Sequence, residues 1–409
     1  MLLWILLAAY TLNFLDRQIL NILAEPIKGE LGLSDSLLGF LAGPAFAVFY
    51  AVLGVPIARW ADKGNSDRVS LISLSLAIWS LMTALTGFAQ NFWQMLAARI
   101  GVGIGEAGCT PAAHALIADA VPVEKRSSAI AFFGLGVPLG SLLGLVVGGI
   151  INDLYGWRIA LMLVGLPGLV LALVVRLLLR DPRQILPSAA QKAGHDATPL
   201  HSGLAEIFGS RTYHYLFIAA SLTAFLSYGK GLWTISFFIR SHGLSTSAAG
   251  LSLAVVLGLA GLFGTWAGGY VADRFSAARP GLRLMLPGIG MLLAAPILFA
   301  SYSASDWRVA LALLVVPTML NAAYYGPAYA AVQGLVRAPL RALGASMVVF
   351  GQNFIGLGLG PLAFGILSDY LQPVAGSESV RWVLYGAAWI GIFPALFFIA
   401  AGRRMARGL

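Results

Sequence analysis

GVPIARWADK (residues 54–63) closes one apolar stretch of this chain, and GGYVADR (268–274) closes another in its second half. Each places a glycine ahead of Ala-Asp and a basic residue. A second pair follows the same plan. GGIIND ends at Asp153 and FGILSD ends at Asp369, each with a glycine nine residues before the aspartate, Gly144 and Gly360. Asp153 follows Asp62 by nearly the distance that separates Asp369 from Asp273. Such a repeat predicts duplication of one helical unit, with a central site between two halves.

Composition sets the medium. The 409 residues are 59% hydrophobic and only 11% charged, with a mean hydropathy of +0.84. A soluble chain carries roughly 25% charged residues. About 20 apolar residues span the hydrocarbon, and apolar runs fall near 1–24, 36–58, 69–89, 93–118, 129–151, 158–179, 213–239, 246–271, 282–301, 307–335, 344–367 and 382–401. The expected fold is an all-α membrane protein of twelve transmembrane helices in two pseudo-symmetric six-helix bundles. Residues 1–179 form the N-terminal bundle, 180–211 a polar cytoplasmic linker with a short amphipathic helix near Leu204–Phe208, and 212–409 the C-terminal bundle. The run at the N-terminus has no basic region ahead of it and is interrupted by Asp16 and Arg17, so it does not read as a cleaved signal peptide.

The net charge of +9 is topological. Eighteen of the 26 lysines and arginines lie on the face that carries both termini, and five on the other. By the positive-inside rule both termini are cytoplasmic, in a bacterial inner membrane or a plasma membrane. Anionic lipid is an expected neighbour of that basic face; nucleic acid is not an expected partner.

The charges inside the spans carry the chemistry. Asn13, Asp16 and Arg17 are spaced i, i+3, i+4 and share a helix face. Arg99 and Glu106 share a face of the fourth span, about 10 Å apart along the axis. Ionisable residues at bilayer depth face a protein interior or a wet cavity and handle ions, protons or polar substrate. Spacing leaves the pairing open: either carboxylate can meet either arginine. Burial and a neighbouring guanidinium act on a carboxylate in opposite directions. An aspartate between them can bind a proton in one conformation and release it in another, with Asp16 the expected carrier and Glu106 a second or structural group. In the second half Lys230, Trp233, Thr234 and Phe237 share a face. Lys230 reads as a cation for a phosphate or carboxylate, or as a lysine snorkelling to an interface. Asn321, Tyr324 and Tyr325 repeat the i, i+3, i+4 spacing, Gln352 and Asn353 add polar atoms, and Phe46, Phe49 and Tyr50 give the second span an aromatic side. The small-residue stripe Gly136, Gly140, Gly144, Gly148 predicts close helix contact.

The doubled loop signal resembles that of the major facilitator superfamily over the whole chain. NFLDR (13–17) with RIGVGIGEA (99–107) resembles the Spinster family within it, whose animal members export sphingosine-1-phosphate or lysophospholipid. The resemblance implies that the first and fourth helices line a central cavity. It implies a gating role for Asp62, Asp273 and Arg274, with the aspartates capping helix N-termini, the eleventh helix for Asp273. The loop departs from the superfamily pattern at NSDR (65–68), which leaves open the basic partner of Asp62.

Enzymatic readings find no footing. The five histidines are scattered without zinc spacing, the single Cys109 forms no internal disulfide, and no Gly-x4-Gly-Lys-Ser/Thr loop is present. No metal and no cofactor are expected. The expectation is a monomeric, proton-coupled secondary transporter for an amphipathic anionic or zwitterionic substrate such as a lysophospholipid. The rival readings are a transporter of a sugar, drug or small organic anion, and a non-transporting lipid-binding receptor or scaffold.

Overall fold

A computed structural model describes residues 1–61, 67–122, 125–181, 200–276, 279–337 and 340–407. Asp62 and most of the expected linker lie outside the described residues. Among the described residues the chain is helical apart from short connections, with no strand. In order, the helices are α1 (Leu2–Ile22), α2 (Ala24–Leu31), α3 (Asp35–Ala42), α4 (Pro44–Ala61), α5 (Arg68–Thr86), α6 (Phe92–Glu106), α7 (Cys109–Ala120), α8 (Arg126–Gly134), α9 (Gly136–Tyr155) and α10 (Trp157–Leu178). The second half adds α11 (Leu200–Gly209), α12 (Arg211–His242), α13 (Thr246–Leu253), α14 (Gly261–Ser276), α15 (Leu282–Ser303), α16 (Trp307–Ala322), α17 (Tyr325–Leu335), α18 (Arg341–Gly351), α19 (Gly358–Ala375), α20 (Ser379–Ile390) and α21 (Ile392–Ala406). π-helical turns join α13 to α14 (Ala254–Ala260) and α18 to α19 (Gln352–Leu357).

End to end, these pieces make twelve rods at the twelve apolar runs, with α11 the short amphipathic helix of the linker. Eight stretches among the described residues are long and apolar enough to cross a membrane by length and composition. The rods outside that set are the first, fourth and seventh, which contain Asp16 and Arg17, Arg99 and Glu106, and Lys230. Their polar residues are what lowers their hydropathy, so the least lipid-like rods are those marked for function.

Local sequence sets the ends and breaks. Ser34, Asp67, Asn91, Ser210, Ser245 and Asp306 accept backbone N–H bonds at helix starts, the groups that a helix N-terminus leaves unpaired. Pro44, which lacks an N–H, starts α4 directly after the break at Gly43. Where rods one and six meet, Trp157 Nε1 and Arg158 Nε donate to Glu30 at 2.6 and 2.9 Å. Those bonds, that of Trp157 first, hold the Glu30 carboxyl below its ordinary range.

The chain forms two compact units. The first holds the described residues of 1–194 together with Ser245–Ala254, a segment that the sequence division at 212 gives to the C-terminal bundle. Here α9 lies on α1. A Cβ added at Gly140 would collide with the Thr11 carbonyl and lie 2.8 Å from Phe14 Cβ, and one at Gly144 would lie 2.9 Å from the Leu15 carbonyl. The glycine stripe is therefore a seam that fixes α1. The far end of α9 holds α13: Asp153 Oδ2 accepts from Ser247 N at 2.9 Å, and Asn152 Nδ2 donates to Thr246 Oγ1 at 3.1 Å. The second unit holds the described residues of 195–244 and 255–409. Its seam repeats the first, with Gly356 and Gly360 closing on Ala224 and Phe225 of α12. Ile207 and Phe208 of α11 pack on its core beside Tyr213, Leu340 and Phe398.

Candidate functional site: a buried charge cluster in the first unit

Three packing contacts bring the four charges together. The α9 seam sets α1. Gly101 and Gly105 let α6 close on Met82 and Trp79 of α5, and Gly103 lets it close on the Phe46 carbonyl of α4. Asp16, Arg17, Arg99 and Glu106 then converge between α1, α4, α5 and α6. Arg17, Arg99 and Glu106 meet around the rings of Phe14, Phe46 and Tyr50.

The pairing left open by spacing resolves in one way. Arg17 Nε and its terminal nitrogen both approach Glu106 Oε2 at 2.7 Å, and Glu106 is fully buried. The Arg17 guanidinium sits 5.0, 4.9 and 4.7 Å from the ring centres of Phe14, Phe46 and Tyr50. Cation–π attraction strengthens as such a group is desolvated. Asn13, also buried, approaches the same carboxylate, but its amide atoms and Glu106 Oε1 do not complete a well-formed hydrogen bond.

Asp16 and Arg99 stay apart. Asp16 is 3% exposed and accepts a hydrogen bond from Thr83 Oγ1 at 3.1 Å. Arg99 is 5% exposed and donates from Nε to the Leu41 carbonyl at 3.4 Å, a long bond, while its guanidinium lies 5.3 Å from the Phe46 ring centre. That carbonyl lies just ahead of the Gly43–Pro44 break, where the helical ladder is interrupted. Asp16 and Arg99 are within electrostatic range of each other but form no ion pair.

The second unit has no comparable charge cluster among its described residues. Lys230 is partly buried and makes no hydrogen bond or ion pair among the described residues. Two residues along α12, Tyr228 is in electrostatic range of Tyr324 and Tyr329. Residues two apart on a helix face roughly opposite ways, so Lys230 is not brought to those tyrosines. Trp233 is fully buried and donates its N–H to the Pro361 carbonyl at 2.9 Å. Thr234 meets the Tyr302 hydroxyl at 3.1 Å, and Phe237 packs on Tyr302. The face expected as a cavity wall is thus largely spent on packing within the unit. Gln352 joins two phenols: Tyr329 donates to its Oε1 at 2.7 Å, and its Nε2 donates to Tyr324 at 3.0 Å. Tyr324 is buried against Phe398, Tyr325 is exposed, and Asn321 and Asn353 are half-buried.

The gating residues are only partly visible. Asp62 lies outside the described residues. Asp273 and Arg274 are exposed at the end of α14. The cap implied for Asp273 is not made here: Leu340 occupies the N-cap of α18, with no side-chain cap. Arg68 turns inward within its own unit, to Asp119 and the Ala115 carbonyl.

Thr83, the Leu41 carbonyl and Tyr329 are the contributors that sequence reading missed. The polar run Ser80, Thr83, Thr86 on an otherwise apolar rod was the available signal for Thr83. Tyr329 lies one turn beyond Tyr325.

Residues 6–287 match the family described as Major Facilitator Superfamily. The chain belongs to the major facilitator superfamily. It is 33% identical over 403 residues to an MFS-type efflux pump of Mycolicibacterium smegmatis, covering 98% of this chain and 91% of that protein. It is 27% identical over 391 residues to the probable sphingolipid transporter spinster homolog 2 of Arabidopsis thaliana, covering 90% and 78%. Its structure resembles the crystal structure of a bacterial homologue of the human lysosomal transporter Spinster, in an inward-facing and unoccupied conformation. The TM-score is 0.87 and the identity 29%, over 98% of this chain and 96% of that one. As a superfamily member related to Spinster, the chain is a multi-pass membrane transporter and not an enzyme.

Proposed function

We propose that this protein is a proton-coupled secondary transporter of an amphipathic anion or zwitterion, with both termini cytoplasmic. The observation that carries the reading is the state of Arg99. Its guanidinium is buried, and among the described residues its one hydrogen bond is long and it meets no carboxylate directly. A guanidinium fork matches a carboxylate or phosphate in two-point contact. Arg17 is committed to Glu106, so Arg99 is the cation left to receive a substrate oxyanion.

Asp16 supplies the coupling. Ionised, it offsets the field of Arg99; protonated, it leaves that field free for an anion. Proton and anion then favour each other's binding, which is a coupling free energy in the linkage sense. The aromatic sleeve of Phe14, Phe46 and Tyr50 gives the apolar part of the substrate a surface beside the charge. Asn13 on α1, and Asn321, Tyr324, Tyr325, Gln352 and Asn353 in the second unit, supply neutral hydrogen-bonding groups, with Lys230 the remaining cation. Asp62, Asp273 and Arg274 belong to the gating loops. The sphingolipid description of the Arabidopsis relative supports a lipid substrate. The efflux-pump description of the mycobacterial relative supports a second reading, export of a drug or small organic anion.

Flux of labelled lysophospholipid in proteoliposomes, with and without an imposed pH gradient and against empty liposomes, tests the reading. Gradient-dependent flux above the control is the expected result. Flux of tail-free organic anions instead would move the assignment to the second reading, and binding without any flux would favour a receptor.

A further inference from the structure

Among the described residues the bond from Thr83 is the one hydrogen bond that the proposed proton carrier makes, and nothing in the motif signals points to Thr83. Both side chains are 3% exposed. Two charged groups face Asp16 from α6, Arg99 and Glu106, and Arg17 follows it on its own helix. Gly140 and Gly144 of α9 close on the neighbouring stretch of α1 and bring no charge. Among these groups Thr83 alone touches Asp16, and it belongs to a rod that contributes no charge of its own to the cluster.

A hydroxyl is the group such a position needs. Threonine offers one donor and two acceptor lone pairs. It donates to an ionised Asp16, as drawn here. It accepts from a protonated Asp16, while its own proton turns to the carbonyl four residues back, a bond that helical threonines commonly make. Neither protonation state then leaves a buried orphan donor, which is costly.

We infer that Thr83 is a positioning residue for proton coupling: its hydroxyl orients the Asp16 carboxyl and sets the pH at which Asp16 changes its protonation state. This rests on the proton-carrier reading of Asp16. Of the hydroxyl's two bonds to Asp16, the one donated to the ionised carboxylate is charge-assisted and the stronger, so removing the hydroxyl moves the midpoint to higher pH.

The test is an infrared titration of the carboxylic C=O band in the full-length purified protein, reconstituted in nanodiscs. D16N assigns the band by abolishing it. T83V, close to threonine in size, is expected to raise the midpoint by about one pH unit. T83S should restore the wild-type midpoint, and T83A is the second variant should T83V fold poorly. An unchanged midpoint in both T83V and T83A overturns the inference while leaving Asp16 as carrier. A titrating band that survives D16N overturns the carrier reading itself, and the inference with it.

Discussion

The two units share their packing and differ in their chemistry. In each, a glycine seam on the fifth or eleventh rod closes on the first or seventh: Gly140 and Gly144 on α1, Gly356 and Gly360 on α12. In each, the fourth or tenth rod is interrupted at a matching place, residues 107–108 and 323–324. In each, a hydrogen bond joins the first and third rods, Asp16 to Thr83 and Thr234 to Tyr302. The content of these positions has diverged. Beside its break the first unit has Glu106 ion-paired with Arg17, whereas the second has a neutral Tyr324–Gln352–Tyr329 chain. Close helix packing rests on small residues at fixed positions, and both units keep them. Buried charge is costly, and the cluster proposed for coupling lies in the first unit alone among the described residues.

The seams provide the first way to break this comparison, and the largest effect. A Cβ at Gly140 meets backbone, the Thr11 carbonyl and Leu15 N, which cannot yield without moving a helix. At Gly356 the nearest obstacle is the Ala224 methyl, at 2.6 Å. G140A should therefore destabilise more than G356A, within the roughly 1–3 kcal/mol typical of overpacking. The substitution A224G should partly rescue G356A, and no single side-chain trim should rescue G140A. Thermal unfolding of the purified variants checks both. Equal losses without rescue would mean that the seams are not side-chain limited in different ways.

The charged sites come next. R99A should reduce transport about tenfold to a hundredfold, corresponding to the roughly 1.5–3 kcal/mol of a hydrogen bond to a charged group, with little change in melting temperature. K230A should cost less, because Lys230 is not brought to the tyrosine chain. Initial rates in proteoliposomes, with melting curves alongside, decide the order. A larger loss in K230A than in R99A would shift the oxyanion site to the second unit.

The places where sequence reading succeeded and failed share one physical cause. Rod positions were legible because hydrocarbon demands long apolar runs, and the first, fourth and seventh rods stood out because charge interrupts theirs. The cluster of Asp16, Arg17, Arg99 and Glu106 was legible because ionisable residues at that depth are few. Their pairing was not, since i, i+3 and i+4 positions lie on one broad face and leave either arginine open to either carboxylate. Choosing Glu106 for Arg17 depends on the rings of Phe46 and Tyr50, supplied by a different rod. Thr83 was hidden because hydroxyl side chains recur along its rod, from Ser70 to Thr86, and no charge marks one of them out. Trp233 shared a face with Lys230, yet that face turned out to pack on the Pro361 carbonyl. Tyr324 and Tyr325 were expected to act together, but the helix break at 323–324 separates them, one into the core and one outward.

The smallest expected effect belongs to the linker helix. Glu206 of α11 and Arg337 form an exposed, two-point ion pair within the second unit. The Arg337 hydrogen bond holds the Glu206 carboxyl below its usual range, and Glu206 raises Arg337 in turn. A carboxyl whose value is lowered on folding contributes stability that is fully present above its unfolded value, about 4.3. That contribution is lost as the pH falls through the lower, folded value. Exposed pairs contribute little because water screens them. Ile207 and Phe208, which anchor α11 in the apolar core, are expected to hold it in place without the pair. E206Q should therefore leave the melting temperature nearly unchanged at pH 7 and flatten only a shallow decline below pH 5. A marked loss of stability at neutral pH in E206Q would mean that the ion pair, rather than the apolar side of α11, secures the linker to its unit.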